Sequence, residues 1–360
     1  MTESLDSKIN LLIESLLTTK DTTGQFTEKL ADGRVVDTKS WNVWDWQQGV
    51  GLFGVWTYFQ KTGSNRAYEI VVKWFEDNLS FQPPKNINTM APLLTLACLY
   101  EKTRNEKYKP VLQEWAEFIM KKLPRTTSGC FQHTTSRHLN EEQIWDDTLF
   151  MTVLPLAKIG LLFNLPEYVE TAKLQFLLHL QYLFDTESGL FFHGWTFDGR
   201  NNFGKVKWGR GNAWITVAIP IVLELLNLPE TDAFRVFLVE AFRAQASALA
   251  KLQDSESGMF YTVLDAPHDK ENYIEASATA GFACGISKGI KLGLIGPEYE
   301  QVMNKSFKAI VERVLPDGKL KDTSFGTRVG DSKAYYYGIP LTDMPYGQAL
   351  AIMCLLEGLD

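Results

Sequence analysis

The sequence predicts an all-α protein closed into an (α/α)6 toroid, and three observations lead there. Apolar residues recur at helical spacing along almost the whole chain, in about twelve segments long enough to be helices. Short turns and long polar loops alternate between these segments, giving an internal repeat of about 40–70 residues, one helical hairpin each. The last segment, "QALAIMCLLEGL", is apolar all round and would make a poor end cap for an open solenoid. A ring needs no cap, because each hairpin buries its apolar face between two neighbours.

Taken in order, the first helix is expected over 3–18, acidic and amphipathic, without the basic stretch and cleavage site of a secretory leader. Helices over 46–61 and 66–80 are joined by "KTGSNRAY", and those over 89–103 and 107–123 by "KTRNEKY". The pairs 146–163 with 166–184, 211–227 with 230–252, and 276–293 with 297–315 each turn through a short segment that puts proline or an acid in the new first turn. The twelfth helix covers 346–358. Within 276–293, Ser277, Gly281, Gly285, Gly289 and Gly293 stand four apart. That stripe of small residues lets backbones approach closely, and Lys288 and Lys291 argue for a crowded inner ring over a lipid setting. Short extended pieces are expected only at "GCFQH", "GLFFHGW" and "GMFYTVLD".

Composition narrows the function. The 360 residues carry 36 basic and 43 acidic side chains, a net charge of -7, so neither nucleic acid nor an anionic membrane surface is an expected partner. No apolar run reaches the ~18 residues of a membrane span. Cys98, Cys130, Cys284 and Cys354 are scattered without a CxxC pair and read as reduced thiols, which makes the cytoplasm the default compartment. GxSxG, Walker A and GxGxxG motifs are missing, and the five histidines lack metal-ligand spacing, so neither a metal nor another cofactor is expected. The whole span 1–360 reads as one domain, a monomer or weak homo-oligomer.

In this toroid the inner helices start near Trp46, Asn88, Asp147, Arg210, Ser277 and Tyr346, all at one rim. The motifs there, with the loops "GCFQHTTSRH" and "GLFFHGWTFDG", concentrate Trp, His, Asn, Asp, Arg and Ser, the makings of a sugar pocket. "QIWDDTLFM" is the sharpest. Asp147 shares a helical face with Met151 next to Trp145, and an aspartate beside apolar surface has a raised pKa and can donate a proton. Asp146 points elsewhere and is the better helix cap. In "WGRGNAW", Arg210 and Trp214 share a face; the fork of an arginine can grip a carboxylate while Trp208 and Trp214 stack on a ring. Arg210 could equally pair with a loop carboxylate and be purely structural. His133 and His193 sit in rim loops as candidate binding residues, whereas His179 reads as an outer-helix residue.

With these motifs assembled, the chain resembles the unsaturated rhamnogalacturonyl hydrolases of glycoside hydrolase family 105 and, more distantly, the unsaturated glucuronyl hydrolases of family 88. The likeness spans nearly the whole chain, through "WDWQQGV", "QIWDDTLFMTVLPLAKIG", "FFHGW", "WGRGNAW", "EASATAGFA" and "PYGQALA". The resemblance implies an exo-acting enzyme that hydrates the C4=C5 bond of a Δ4,5-unsaturated galacturonic acid at the non-reducing end of a short pectin fragment. Such an enzyme releases a neighbouring sugar, typically rhamnose, and a small unsaturated oligosaccharide would be its only partner. The catalytic aspartate of the family corresponds to Asp147, and its binding residues to His193, Trp208, Arg210 and Trp214. Trp46, Asn88, His133, Trp145 and Ser277 complete the expected binding set. Family members often carry a second aspartate where this chain has Asn88, an amide that positions a hydroxyl but exchanges no proton. The competing readings are a toroid sugar epimerase or isomerase, a non-catalytic oligosaccharide-binding protein, and a two-carboxylate glycosidase using Asp45 and Glu275.

Overall fold

The computed structural model describes residues 4–29, 33–80 and 83–359. Among them the helices run α1 (Leu5–Thr18), α2 (Trp46–Thr62), α3 (Asn65–Asn78), α4 (Pro92–Thr103), α5 (Lys109–Lys121), α6 (Leu154–Leu162) and α7 (Pro166–Leu183). They continue as α8 (Gly209–Leu226), α9 (Ala233–Leu252), α10 (Ala276–Lys291), α11 (Glu300–Arg313), the short α12 (Lys333–Tyr337) and α13 (Pro345–Leu356). The long ones match the twelve expected from periodicity.

Apolar distribution sorts them into two layers. In α3 the buried residues Ala67, Val71, Trp74, Phe75 and Asn78 form a single stripe, as do Leu112, Trp115, Ala116 and Ile119 in α5. In α13 every residue from Pro345 to Leu356 is buried, and in α8 every residue from Gly209 to Leu223. Helices apolar on all sides must be surrounded, so α2, α4, α6, α8, α10 and α13 form the inner ring. Each packs on the next, and α13 returns to α2 to close the circle; α1, α3, α5, α7, α9 and α11 lie outside their partners. The fold is the expected (α/α)6 toroid.

The small-residue stripe works at the seam between α8 and α10. A Cβ on Gly285 would lie 2.3 Å from the Thr216 carbonyl oxygen, and one on Gly281 2.9 Å from the Ala213 Cβ. Pro220 inside α8 has no amide hydrogen to return to that Thr216 carbonyl. Gly293 is not part of the seam: it lies beyond α10 with φ 67°, a turn residue.

Two helix starts differ from expectation. Asn88–Met90 forms a separate 3₁₀ turn before α4, and Leu149–Val153 a widened π turn before α6. Pro155 accounts for the second, since it cannot donate to the Met151 carbonyl. In the loops, Gln143–Trp145 pairs antiparallel with Gly194–Thr196, which ties the Asp147 segment to the His193 segment. Phe184–Asp185 pairs with Leu190–Phe191, and Phe260–Tyr261 with Ile274–Glu275, as "GLFFHGW" and "GMFYTVLD" suggested. "GCFQH" contributes only a single bridge, Arg125 to Phe131. A hairpin of Thr27–Lys29 with Val35–Asp37 was not expected; neither strand has apolar alternation. All four cysteines are free thiols, and no helix among the described residues is long and apolar enough to cross a membrane.

Candidate active site

The inner-helix N-termini surround a pocket of ≈ 240 Å³. Trp46, Asn88, His133, Trp145, Asp147, Trp208 and Trp214 all line it, so seven of the ten site residues expected from sequence come together. The "WNVWDW" motif divides on the way. Trp41 and Trp44 turn into the core against Trp74 and Trp115, their roles fixed by the Trp44 indole donating to the Thr89 carbonyl at 2.9 Å and the Trp74 indole to that of Trp41 at 2.6 Å. Trp46 instead stacks on Tyr346 at 4.7 Å and presents its other side to the pocket.

Asp147 stands at the entrance to the π turn, its side chain 15% exposed. Its Oδ1 lies 3.4 Å from His133 Nδ1, which in turn sits 2.7 Å from the Thr148 hydroxyl. The His133 ring stacks on Trp145 at 4.1 Å. Burial pushes the Asp147 carboxyl up to about 7, against the lowering effects of backbone amides and the Arg210 charge. The same burial holds His133, beside it, and His193, behind the pocket, well below the ordinary imidazole range, so both are neutral. Asp147 can therefore give or take a proton near neutrality.

Asp146 is not the cap it was expected to be. It is fully buried, neither carboxylate oxygen has a hydrogen-bond partner among the described residues, and a Cβ on Gly211 would lie 2.0 Å from its Oδ2. Its neighbours explain the miss. The antiparallel pairing of Trp145 with Gly194 turns Asp146 inward, under the start of α8, before the turn that it would have capped. Desolvation, then the Asp147 charge, raise its carboxyl well above the usual carboxylate range.

Three expected binding residues do not reach the pocket wall. Arg210 is fully buried beneath it, sandwiched between Trp208 at 4.4 Å and Tyr346 at 4.8 Å. Nη1 donates to the Ser324 hydroxyl at 2.6 Å and carbonyl at 3.0 Å, Nη2 donates to the Phe325 carbonyl at 2.9 Å, and Glu275 lies 3.6 Å away. A charge taken wholly out of water needs an opposite charge and acceptors for its donors; Glu275 and this loop supply them to Nη1 and Nη2, while Nε has no partner among the described residues. The structural alternative thus replaces the open carboxylate clamp: Arg210 holds the 324–328 loop against the pocket. Ser277 belongs to the same network, donating to Glu275 at 2.8 Å, and is likewise buried. His193 lies behind Trp145 and Trp208, with Nδ1 2.7 Å from the Tyr336 hydroxyl. His179 is buried on α7, bonded to the Gln175 carbonyl, as expected.

The sequence reading placed the loop 129–138 at the rim but singled out none of the pocket's outer lining. Arg137 and His138 come from the loop after His133, Arg328 and Tyr335 from the segment around α12, and Glu28 from the N-terminal hairpin. Arg137 pairs with Glu28 at 3.2 Å across the mouth. These residues lie in loops or in elements of three to five residues, too short for periodicity to signal which way they face.

The comparisons with known proteins agree with this picture. The family model described as Glycosyl Hydrolase Family 88 matches residues 18–360. The chain belongs to this family. Among curated family relatives, the unsaturated rhamnogalacturonyl hydrolase YesR of Bacillus subtilis (strain 168) is 32% identical over 318 residues, covering 87% of this chain and 89% of that protein. A crystal structure of a possible member of the GH105 family from Salmonella enterica serovar Paratyphi A superposes with a TM-score of 0.96 at 52% identity, over 98% of this chain and 93% of that one. A second possible GH105 member, from Klebsiella pneumoniae, gives 0.96 at 49% identity over 99% and 93%. The resemblance read from the motifs is borne out, and this family 88 chain is a glycoside hydrolase. Chemically, its pocket offers a family 88 enzyme two carboxyls that burial raises to about 7, Asp147 and Asp45, four indoles as flat apolar faces, and a neutral imidazole beside Asp147. Glu275, committed to Arg210 and fully buried, is removed from any two-carboxylate scheme.

Proposed function

We propose that this protein hydrates the C4=C5 double bond of a Δ4,5-unsaturated uronic acid at the non-reducing end of a short pectin-derived oligosaccharide, in an exo fashion. Asp147 in its protonated form delivers a proton to C4 of the enol ether, and the positive charge that develops is shared by C5 and the ring oxygen. The resulting carboxylate then takes a proton from water as the water oxygen bonds to C5, which restores the acid. The hemiketal so formed opens without further help, breaks the link to the neighbouring sugar and frees it, rhamnose being the expected product. Vinyl-ether hydration asks for one well-placed acid that can also act as base, whereas ordinary glycoside hydrolysis asks for two flanking carboxyls.

The single observation that carries this reading is Asp147: a carboxyl in an indole-lined pocket, held by burial at about 7, next to a neutral imidazole. The name of the YesR relative supports the substrate class. The test is to incubate the protein with lyase-made unsaturated disaccharides and follow the enol-ether absorbance. Decay is expected with the wild type and none with Asp147→Asn. A fully active Asp147→Asn variant would overturn the assignment.

A further inference from the structure

The chemistry proposed above leaves one deeply placed pocket carboxyl unused. Asp45 is 8% exposed and lines the same cavity. Its Oδ1 caps α2, accepting the Trp46 amide at 2.8 Å, and that is the side chain's only hydrogen bond among the described residues. The other oxygen has no protein partner and, unlike both oxygens of Asp146, keeps access to solvent from the pocket that Asp45 lines. Its electrostatic surroundings differ from those of the acid. The charges facing Asp45 are Glu28 and Arg137, the pair that bridges the mouth, while those facing Asp147 are Arg210 and Asp146. Both carboxyls line one pocket, Asp147 beside His133 and its Trp145 stack and Asp45 within the field of the Glu28–Arg137 pair.

We propose that Asp45 reads the hydroxyls of the leaving sugar, the ring on the far side of the bond that is broken. The proposal rests on the hydratase reading. With the unsaturated ring over Asp147 and the rest of the chain directed to the mouth, the next sugar lies under the Glu28–Arg137 bridge, within the reach of Asp45. Burial lifts the Asp45 carboxyl to about 7, so near neutrality it can accept from one hydroxyl or donate to another. A site built to bond a hydroxyl rejects a ligand that lacks it, because the buried polar group is then left unpaired. Asp45 touches no reacting atom in this arrangement and is a specificity residue.

The test uses two substrates, an unsaturated uronyl disaccharide and the methyl glycoside of the same unsaturated uronic acid, which has no leaving-sugar hydroxyls. Asp45→Ser keeps a capping side chain but is too short to reach into the pocket. It is expected to lower kcat/KM on the disaccharide by roughly tenfold or more, through KM, while changing the methyl glycoside by less than about twofold. Asp45→Asn, which keeps both cap and volume, should show the same split at smaller size and covers the case in which the serine variant fails to fold. Equal losses on both substrates would reveal a purely structural cap and overturn the proposal, as would no loss on either. If the wild type turns over neither substrate, the hydratase reading itself has failed and this proposal falls with it.

Discussion

Replacing Arg210 separates the two roles that an arginine at this site could play. An open carboxylate clamp would, on removal, raise KM and leave the fold intact. In the structure the guanidinium is instead wholly buried, bonded to Ser324 and Phe325 and facing the equally buried Glu275 at 3.6 Å. Arg210→Met keeps most of the side-chain volume but leaves the Glu275 charge and two loop carbonyls without their cation. Breaking a buried pair by removing one partner costs about 3–5 kcal/mol. With an unfolding entropy of about 2.1 cal/mol/K per residue, a chain this long has roughly 0.76 kcal/mol/K, so the expected fall in Tm is about 4–7 °C. Neutralising the orphaned acid with Glu275→Gln in the same chain should return part of that loss. Scanning calorimetry with urea titration reads the stability, and initial rates on an unsaturated disaccharide read the site. The loop that Arg210 holds includes pocket residues, so kcat and KM should worsen together. A variant that melts within about 1 °C of wild type and differs only in KM would refute the buried-pair reasoning and restore the clamp.

Other outcomes follow from the same geometry. Because Asp147 must carry its proton for the first step and burial holds it at about 7, kcat/KM should be highest below that pH and decline as pH rises through it; a flat profile from pH 5 to 8 would contradict the assignment. The folded-state value lies above the unfolded one, so this carboxyl adds stability at low pH that is lost as pH rises through 7. Asp147→Asn should therefore melt near the wild type at pH 4 to 5 and above it at pH 8, by a shift on the order of 1–3 kcal/mol after allowing for partial exposure. Gly285→Ala would put a Cβ 2.3 Å from the Thr216 carbonyl in a seam of two helices, and overpacking of that kind costs about 1–3 kcal/mol; an unchanged melt would mean that α8 and α10 can slide apart freely.

Much of the architecture could be read from residues alone, because burial leaves a period in the sequence. Helices buried on one side, such as α3 and α5, carry one apolar stripe, and those buried on all sides, such as α8 and α13, carry apolar residues everywhere. That contrast specifies inner and outer layers and hence the ring. The candidate acid stood out for a related reason: Asp147 falls at a helix start among Trp145, Leu149 and Met151, apolar surroundings that favour a protonated carboxyl. What residue type and spacing could not decide was which way a loop faces. Trp44 and Trp46 stand two apart in one motif, yet one enters the core and the other the pocket. Arg210 looked like a ligand for a substrate carboxylate until the fold brought Glu275, from 65 positions along the chain, beside it. The sequence by itself determined the helices and their layers, since those depend on local periodicity, and it singled out Asp147 as the candidate acid. Only the tertiary structure decided which charges meet each other and which meet the substrate, because pairing a buried charge depends on segments far apart in the chain.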